Sequence, residues 1–197
     1  MTKERCLEYD IAYMKIAENI ANLSYAIRSK VGAIIVNEGG QIISQGFNGT
    51  PTGMDNCCEE AHCSCKYVHG CTYTEKPIEK QLSVEFCTNA LKSLGHANEK
   101  NGYTCHYCTL TTKDEVLHAE SNAISKCAKY GSSTNNSTIY ITLSPCYDCA
   151  KLIIQSGIKR VVYKDLYRIT DGLDLLVKAN IICEQLDIEN KKIKQYQ

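Results

Sequence analysis

Leu7, Ile11, Met14 and Ile20 recur at helical spacing with Glu, Lys and Asn between them, which predicts a helix over residues 4–27. The next apolar stretch, VGAIIV at 31–36, is unbroken and has the length of a buried strand. NEGG at 37–40 reads as a turn, and QIISQG at 41–46 returns as a second strand, so a hairpin is expected. FNGTPTG at 47–53 is a loop by its Gly and Pro content. Regular patterning resumes late in the chain. His118–Tyr130 is helical and stops at Gly131, STIYITL is a strand, and Cys146–Ser156 is a helix that stops at Gly157. KRVVYK, a helix over Leu173–Ala179 and the strand NIICEQL complete the series, and the charged tail 187–197 is expected to be loose. Strands alternating with helices point to an α/β layered sheet in a single domain spanning 1–197.

Between about 56 and 115 the pattern breaks. Eight of the 13 cysteines and four of the five histidines fall there, with little apolar periodicity beyond a short helix near Val84–Leu94. Such a segment cannot bury a core of its own, so it reads as an insertion held by metal.

Composition narrows the function. Apolar residues make up 44%, enough for a core. Lys plus Arg equals Asp plus Glu at 22 each, so there is no basic excess of the kind a polyanion-binding surface carries. Zero net charge, no Trp and two Phe argue against a polynucleotide track, although 13 Tyr are present. No basic n-region with an apolar run opens the chain, and no stretch approaches the roughly 20 apolar residues of a membrane span. The expectation is a cytoplasmic protein with no membrane partner, where cysteines interleaved with histidines mean metal more often than disulfides.

One constellation carries chemistry. His118-Ala-Glu120 opens one helix, and Pro145-Cys146-x-x-Cys149 opens the next. Three ligands with one open position suit a catalytic zinc. Orphan N–H groups and the positive dipole end of a helix favour thiolates. Pro145 suits a helix start, where its missing N–H costs nothing. Glu120, two residues from His118, need not bind the metal and can face its water as a proton shuttle. Taken singly, C-x-x-C is as consistent with a structural zinc or a redox pair. The ordered combination matches the zinc-deaminase signature, which implies hydrolytic removal of an amino group from an amidine-like ring carbon.

Here the chain resembles the deoxycytidylate (dCMP) deaminases of the cytidine deaminase superfamily, in a layout similar to phage and viral members. The resemblance rests on KVGAIIV at 30–36, GFNGTPTG at 46–53, NCC at 56–58, HAESNAI at 118–124 and YITLSPCYDCAKLIIQSGIKRVVY at 140–163. It implies a three-layer fold with a mixed five-stranded sheet flanked by helices. It implies hydrolysis of dCMP to dUMP and ammonia, which feeds thymidylate synthesis. A homo-oligomer, hexameric in many members, and dCTP activation with dTTP inhibition are implied as well.

The resemblance also implies site residues. Asn48 matches the deoxyribose contact, with an Asn-Gly turn as the plain alternative. Arg28 matches a position for the 5′-phosphate, where a guanidinium can fork onto phosphate oxygens, with Ser29 and Lys30 as secondary candidates. Tyr163 is placed near the base or else in the core. Lys126 and Lys129 stand where phage relatives carry effector-linked Phe and Arg. Cys57 and Cys108 match ligands of a second, structural zinc. Here Ala26 replaces one ligand of that site and Glu115 is one residue displaced from another. The expected structural set is therefore Cys57, Cys105, Cys108 and one of Cys63 or Cys65. His62, His69 and Cys71 with a leftover Cys are available for a further site. Cys6, Cys127 and Cys183 read as core thiols, and Cys87 as similar.

Two other functions fit parts of this pattern: a zinc deaminase acting on another cytosine nucleotide or on a base in tRNA or DNA, and a non-enzymatic zinc scaffold. Glu120 separates the last from the others, because a closed structural site has no use for an acid beside it.

Overall fold

The computed structural model describes residues 2–63 and 108–197, with side chains over 2–60 and 111–197. The expected helix near Val84–Leu94, and the sites assigned to Cys65, His69, Cys71, Cys87 and Cys105, lie outside the described residues. Two compact units are present, one formed by Met1–Asn56 with Glu115–Gln197 and the other by Cys57–Asp114.

The first unit is a sheet covered on both faces. Its helices are α1 (Lys3–Ala21), α2 (Ala119–Tyr130), α3 (Tyr147–Gln155) and α4 (Asp171–Lys178). Its strands are β1 (Gly32–Val36), β2 (Ile42–Phe47), β5 (Thr138–Leu143), β6 (Arg160–Asp165), β7 (Ile182–Asp187) and β8 (Lys192–Gln195). Among the described residues they order as β2-β1-β5-β6-β7-β8. The β5–β6 and β6–β7 pairs are parallel, and β2–β1, β1–β5 and β7–β8 are antiparallel.

Strand alternation explains the two cores. Ala33, Ile35, Ile139, Ile141, Val161 and Tyr163 share one face with Ala119, Ala123, Ala150, Ile153, Leu173 and Leu176 from α2, α3 and α4. Ile34, Val36, Tyr140, Val162 and Leu186 turn to the other face, against Met14 and Ala17 of α1. Buried on both sides, β1 therefore reads as a continuous apolar run. A polar network also holds α1 to the sheet. Asp10 accepts from Arg160 at 2.7 and 2.8 Å and from the Tyr140 hydroxyl at 2.7 Å, while Arg160 Nε donates to Glu184 at 2.7 Å. Burial lowers the Arg160 pKa, but Asp10 and Glu184 outweigh it and the net shift is upward.

Two expectations need correction. The tail is not loose. Ile193 packs beside Leu186 while β8 pairs with β7, and the Tyr196 hydroxyl donates to Asp174 at 2.9 Å, so among the described residues the sheet has six strands rather than five. Helix α1 stops at Ala21, not residue 27. Buried Ser24 donates its hydroxyl to the Asn48 carbonyl at 2.7 Å and accepts the Ala26 N–H at 3.1 Å, which draws the chain out of the helix.

In the second unit β3 (Glu59–Cys63) and β4 (Cys108–Thr112) pair antiparallel, with Cys63 opposite Cys108 and His62 opposite Thr109. Cys57 Sγ donates to the Glu59 carbonyl at 3.4 Å.

Candidate metal and catalytic site

His118 is the N-cap of α2 and Cys146 the N-cap of α3, and neither side chain makes a capping bond. Both are left to point at one another. His118 Nδ1 lies 3.4 Å from the sulfur of Cys146 and 3.4 Å from that of Cys149. The three candidate ligand atoms fall within 4.8 Å of one another, with His118 exposed, Cys146 half-buried and Cys149 buried. A tetrahedral zinc with Zn–S near 2.3 Å and Zn–N near 2.0–2.1 Å would set N···S at roughly 3.6 Å, so the donor set fits a zinc ion in both chemistry and spacing.

Close packing sets where these helices start. A Cβ on Gly46 of β2 would stand 2.2 Å from the Ala119 carbonyl oxygen, so only glycine lets the first turn of α2 rest on the strand. One turn along, Asn122 Nδ2 donates to the Phe47 carbonyl at 2.8 Å. Gly49 and Leu117 exchange backbone bonds at 3.0 and 2.9 Å.

The electrostatics follow from this crowding. The Cys146 thiol is drawn down to about 4, mainly by the hydrogen bond from Cys149 and also by His118. The same pairing, with burial, pushes Cys149 up. A bound cation would favour the thiolate form of both sulfurs. The bond to Cys146 raises His118. Glu120, 3% exposed in the first turn of α2, is pushed by burial from 4.5 to about 7. A carboxyl shifted toward neutrality can both take up and release a proton near pH 7.

The other candidates are distributed unevenly. Asn48 Oδ1 accepts the Val31 N–H at 2.8 Å, and its Nδ2 donates to the Ser29 carbonyl at 2.8 Å. It therefore fastens the loop that carries Arg28, Ser29 and Lys30, all three exposed. Ser29 and Lys30 line a cleft of about 230 Å³ with Glu18, Asn22, Lys164 and Asp165 among others, and none of the metal cluster lines it. Of the two readings open for Tyr163, the base and the core, its burial favours the core. It is 2% exposed within the core, and burial pushes its hydroxyl to about 12. Half-buried Lys126 donates to the Gln45 carbonyl at 3.0 Å and lies 5.6 Å from the Phe47 ring, and desolvation lowers its pKa. Lys129 is exposed, 5.6 Å from the Tyr130 ring.

Two positioning residues escape the sequence reading. Asn122 had a faint signal, four residues after His118 on the same helix face. Ser24 had none, because the extended helix expectation absorbed it.

The family model for the cytidine and deoxycytidylate deaminase zinc-binding region matches residues 7–165. The deoxycytidylate deaminase of enterobacteria phage T4 is 37% identical over 158 residues, covering 78% of this chain and 76% of that protein. The human deoxycytidylate deaminase is 30% identical over 166 residues, covering 84% and 70%. A dCMP deaminase from the cyanophage S-TIM5, solved in complex with dCMP and dUMP, superimposes with a TM-score of 0.64 at 34% identity, covering 94% of this chain and 99% of that one. The chain belongs to the cytidine and deoxycytidylate deaminase family, and His118, Glu120, Cys146 and Cys149 all lie within the zinc-binding region by which that family is defined.

Proposed function

We propose that this protein hydrolyses dCMP to dUMP and ammonia. The observation that carries the reading is Glu120, a buried carboxyl in the first turn of α2, two residues from His118 of the His-Cys-Cys donor set. The phage T4 and cyanophage relatives named as dCMP deaminases support the substrate.

His118 Nδ1, Cys146 Sγ and Cys149 Sγ would hold the metal. Zinc bound there supplies a water activated for attack on C4 of the cytosine. Glu120 would take one proton from the attacking water and deliver it to ring nitrogen N3, then pass the proton of the added hydroxyl to the amino group as the C4–N bond breaks and ammonia leaves. Asn48 orients the nucleotide, directly at the deoxyribose and through its hold on residues 29–31. Arg28, with Ser29 and Lys30, receives the 5′-phosphate.

The product supplies thymidylate synthesis, the enzyme acts in the cytoplasm, and the chain assembles as a homo-oligomer, hexameric by analogy with its family. No helix among the described residues is long and apolar enough to cross a membrane. Regulation by dCTP and dTTP is carried by Lys129 more than by Lys126, whose ammonium is already engaged with Gln45 and Phe47. The whole chain forms one deaminase domain with a metal-held insertion over about 56–115. In it Cys57, Cys108 and Cys63 or Cys65, with Cys105, hold a structural zinc, and His62, His69 and Cys71 belong to a further site. The register that sets Cys63 opposite Cys108 supports a shared metal.

The test is ammonia release from dCMP, CMP, deoxycytidine and dCTP in parallel, with and without dCTP as effector. Preference for dCMP is expected. Zinc-loaded protein inert on all four would turn the reading toward another base or a polynucleotide.

A further inference from the structure

Gly172, the second residue of α4, lies against the turn that begins α3. A Cβ at this position would stand 2.3 Å from the Pro145 carbonyl oxygen and 2.8 Å from both the carbonyl carbon and oxygen of Cys146. All three are backbone atoms, with no rotamer to yield, and real Cβ atoms essentially never approach closer than 3.0 Å. Helix propensity disfavours glycine here, so its presence is explained by contact rather than by local structure.

The same turn is also held through Ser144. The Ser144 N–H donates to the Asp165 carbonyl at 2.8 Å, and the Ser144 hydroxyl accepts the Tyr167 N–H at 2.7 Å. Ser144 is 3% exposed. The Cys146 carbonyl in turn accepts the Ala150 N–H at 2.9 Å, the bond that starts α3. The residues Ser144-Pro145-Cys146 thus sit between the β6–α4 connection and α4. Apart from Asp165, this support lies beyond the family-model span of 7–165.

We infer that the segment from Asp165 to Gly172 is the seat that fixes Cys146 as a metal ligand, with Gly172 as its positioning residue. The inference rests on the metal reading of His118, Cys146 and Cys149. Adding one methyl at Gly172 must displace the backbone of Pro145 and Cys146 or force α4 away, and either motion disturbs a donor set whose spacing already fits a zinc. Supporting residues of this kind typically change metal affinity by about 10- to 100-fold when altered.

The test is site-resolved. Zinc-loaded full-length protein is titrated with a chelator of known affinity, and alkylation of Cys146 and Cys149 is read by peptide mass spectrometry. Cysteines elsewhere in the chain then do not obscure the result. Leu176→Ala, a core change in the same helix, serves as the stability control. For Gly172→Ala the chelator concentration at half-exposure is expected to fall about 10- to 100-fold. For Leu176→Ala, at an equal or larger loss of Tm, it should move by less than about threefold. Equal shifts per degree of Tm lost, or no shift for Gly172→Ala, overturn the inference. Wild-type Cys146 and Cys149 that react equally with and without zinc overturn the metal reading and this inference with it. If Gly172→Ala does not fold, Ser144→Ala removes one hydroxyl from the same seat and is expected to shift the midpoint in the same direction. An unmoved midpoint there overturns the inference as well.

Discussion

Gly49 and Leu117 are joined in both directions by backbone hydrogen bonds of 3.0 and 2.9 Å. Gly49 follows Asn48, and Leu117 precedes His118. The loop assigned to the nucleotide and the residue assigned to the metal are therefore one peptide away from the same bridge. The two halves of the site cannot move independently without breaking it.

Asn48 is the residue most exposed to this coupling. Its N–H, carbonyl and side-chain amide are all engaged, with Val31, Ser24 and Ser29. Asn48→Ala leaves the Val31 N–H without its acceptor, which costs about 1–3 kcal/mol. Urea denaturation at saturating zinc should show that loss, together with a KM for dCMP raised more than kcat is lowered.

Glu120 gives a pH dependence of unusual sign. Its pKa rises from 4.5 to about 7 on folding, so the folded state binds the proton more tightly than the unfolded chain. The stability it contributes is complete below 4.5 and is lost as pH rises toward 7, by an amount of the order of 3 kcal/mol. Metal-free wild-type protein should therefore weaken across that window relative to Glu120→Gln, measured by denaturant unfolding at each pH. Parallel curves would remove Glu120 as the titrating group.

Arg160 bridges Asp10, Tyr140 and Glu184 across the α1 face. Arg160→Met strands the Asp10 carboxylate, whose side chain is 7% exposed, and should cost about 3–5 kcal/mol. Replacing Asp10 by Leu in the same molecule should recover part of that loss, because the more deeply buried of the two carboxylates is then gone and only Glu184, 19% exposed, is left without its partner. Chemical denaturation of both variants checks the pair.

Much of this architecture was legible in the sequence, for physical reasons. β1 is buried on both faces, so its apolar run was unambiguous. His118 and Cys146 stand at the starts of helices whose ends are marked by Gly131 and Gly157, with Pro145 marking the second start, and so could be placed from the sequence. Two features hid. β8 pairs through its backbone and buries little beyond Ile193, so its lysines read as a solvated tail. The end of α1 is set by Ser24 bonding to Asn48, a contact across 24 positions that no local pattern contains. Tyr163 stands between two readings in the sequence, the base and the core, because its place near the motif suggests the first while strand alternation puts it in the second.

Metal content gives a separate prediction. Elemental analysis should yield more than one zinc per chain, with one lost when Cys149 is replaced by Ser and the remainder kept. A wild-type value of one would remove the structural site from the insertion.

The central claim is that Glu120 moves the proton for a zinc-assisted deamination of dCMP. The direct measurement is dUMP formation from dCMP by wild type and Glu120→Gln side by side, with zinc bound to Cys146 and Cys149 verified in both. The account predicts turnover by the wild type and a kcat lower by about 10²–10⁴-fold, or more, in the variant with its zinc retained. Near-normal dUMP formation by Glu120→Gln, or none by zinc-loaded wild type, would contradict it.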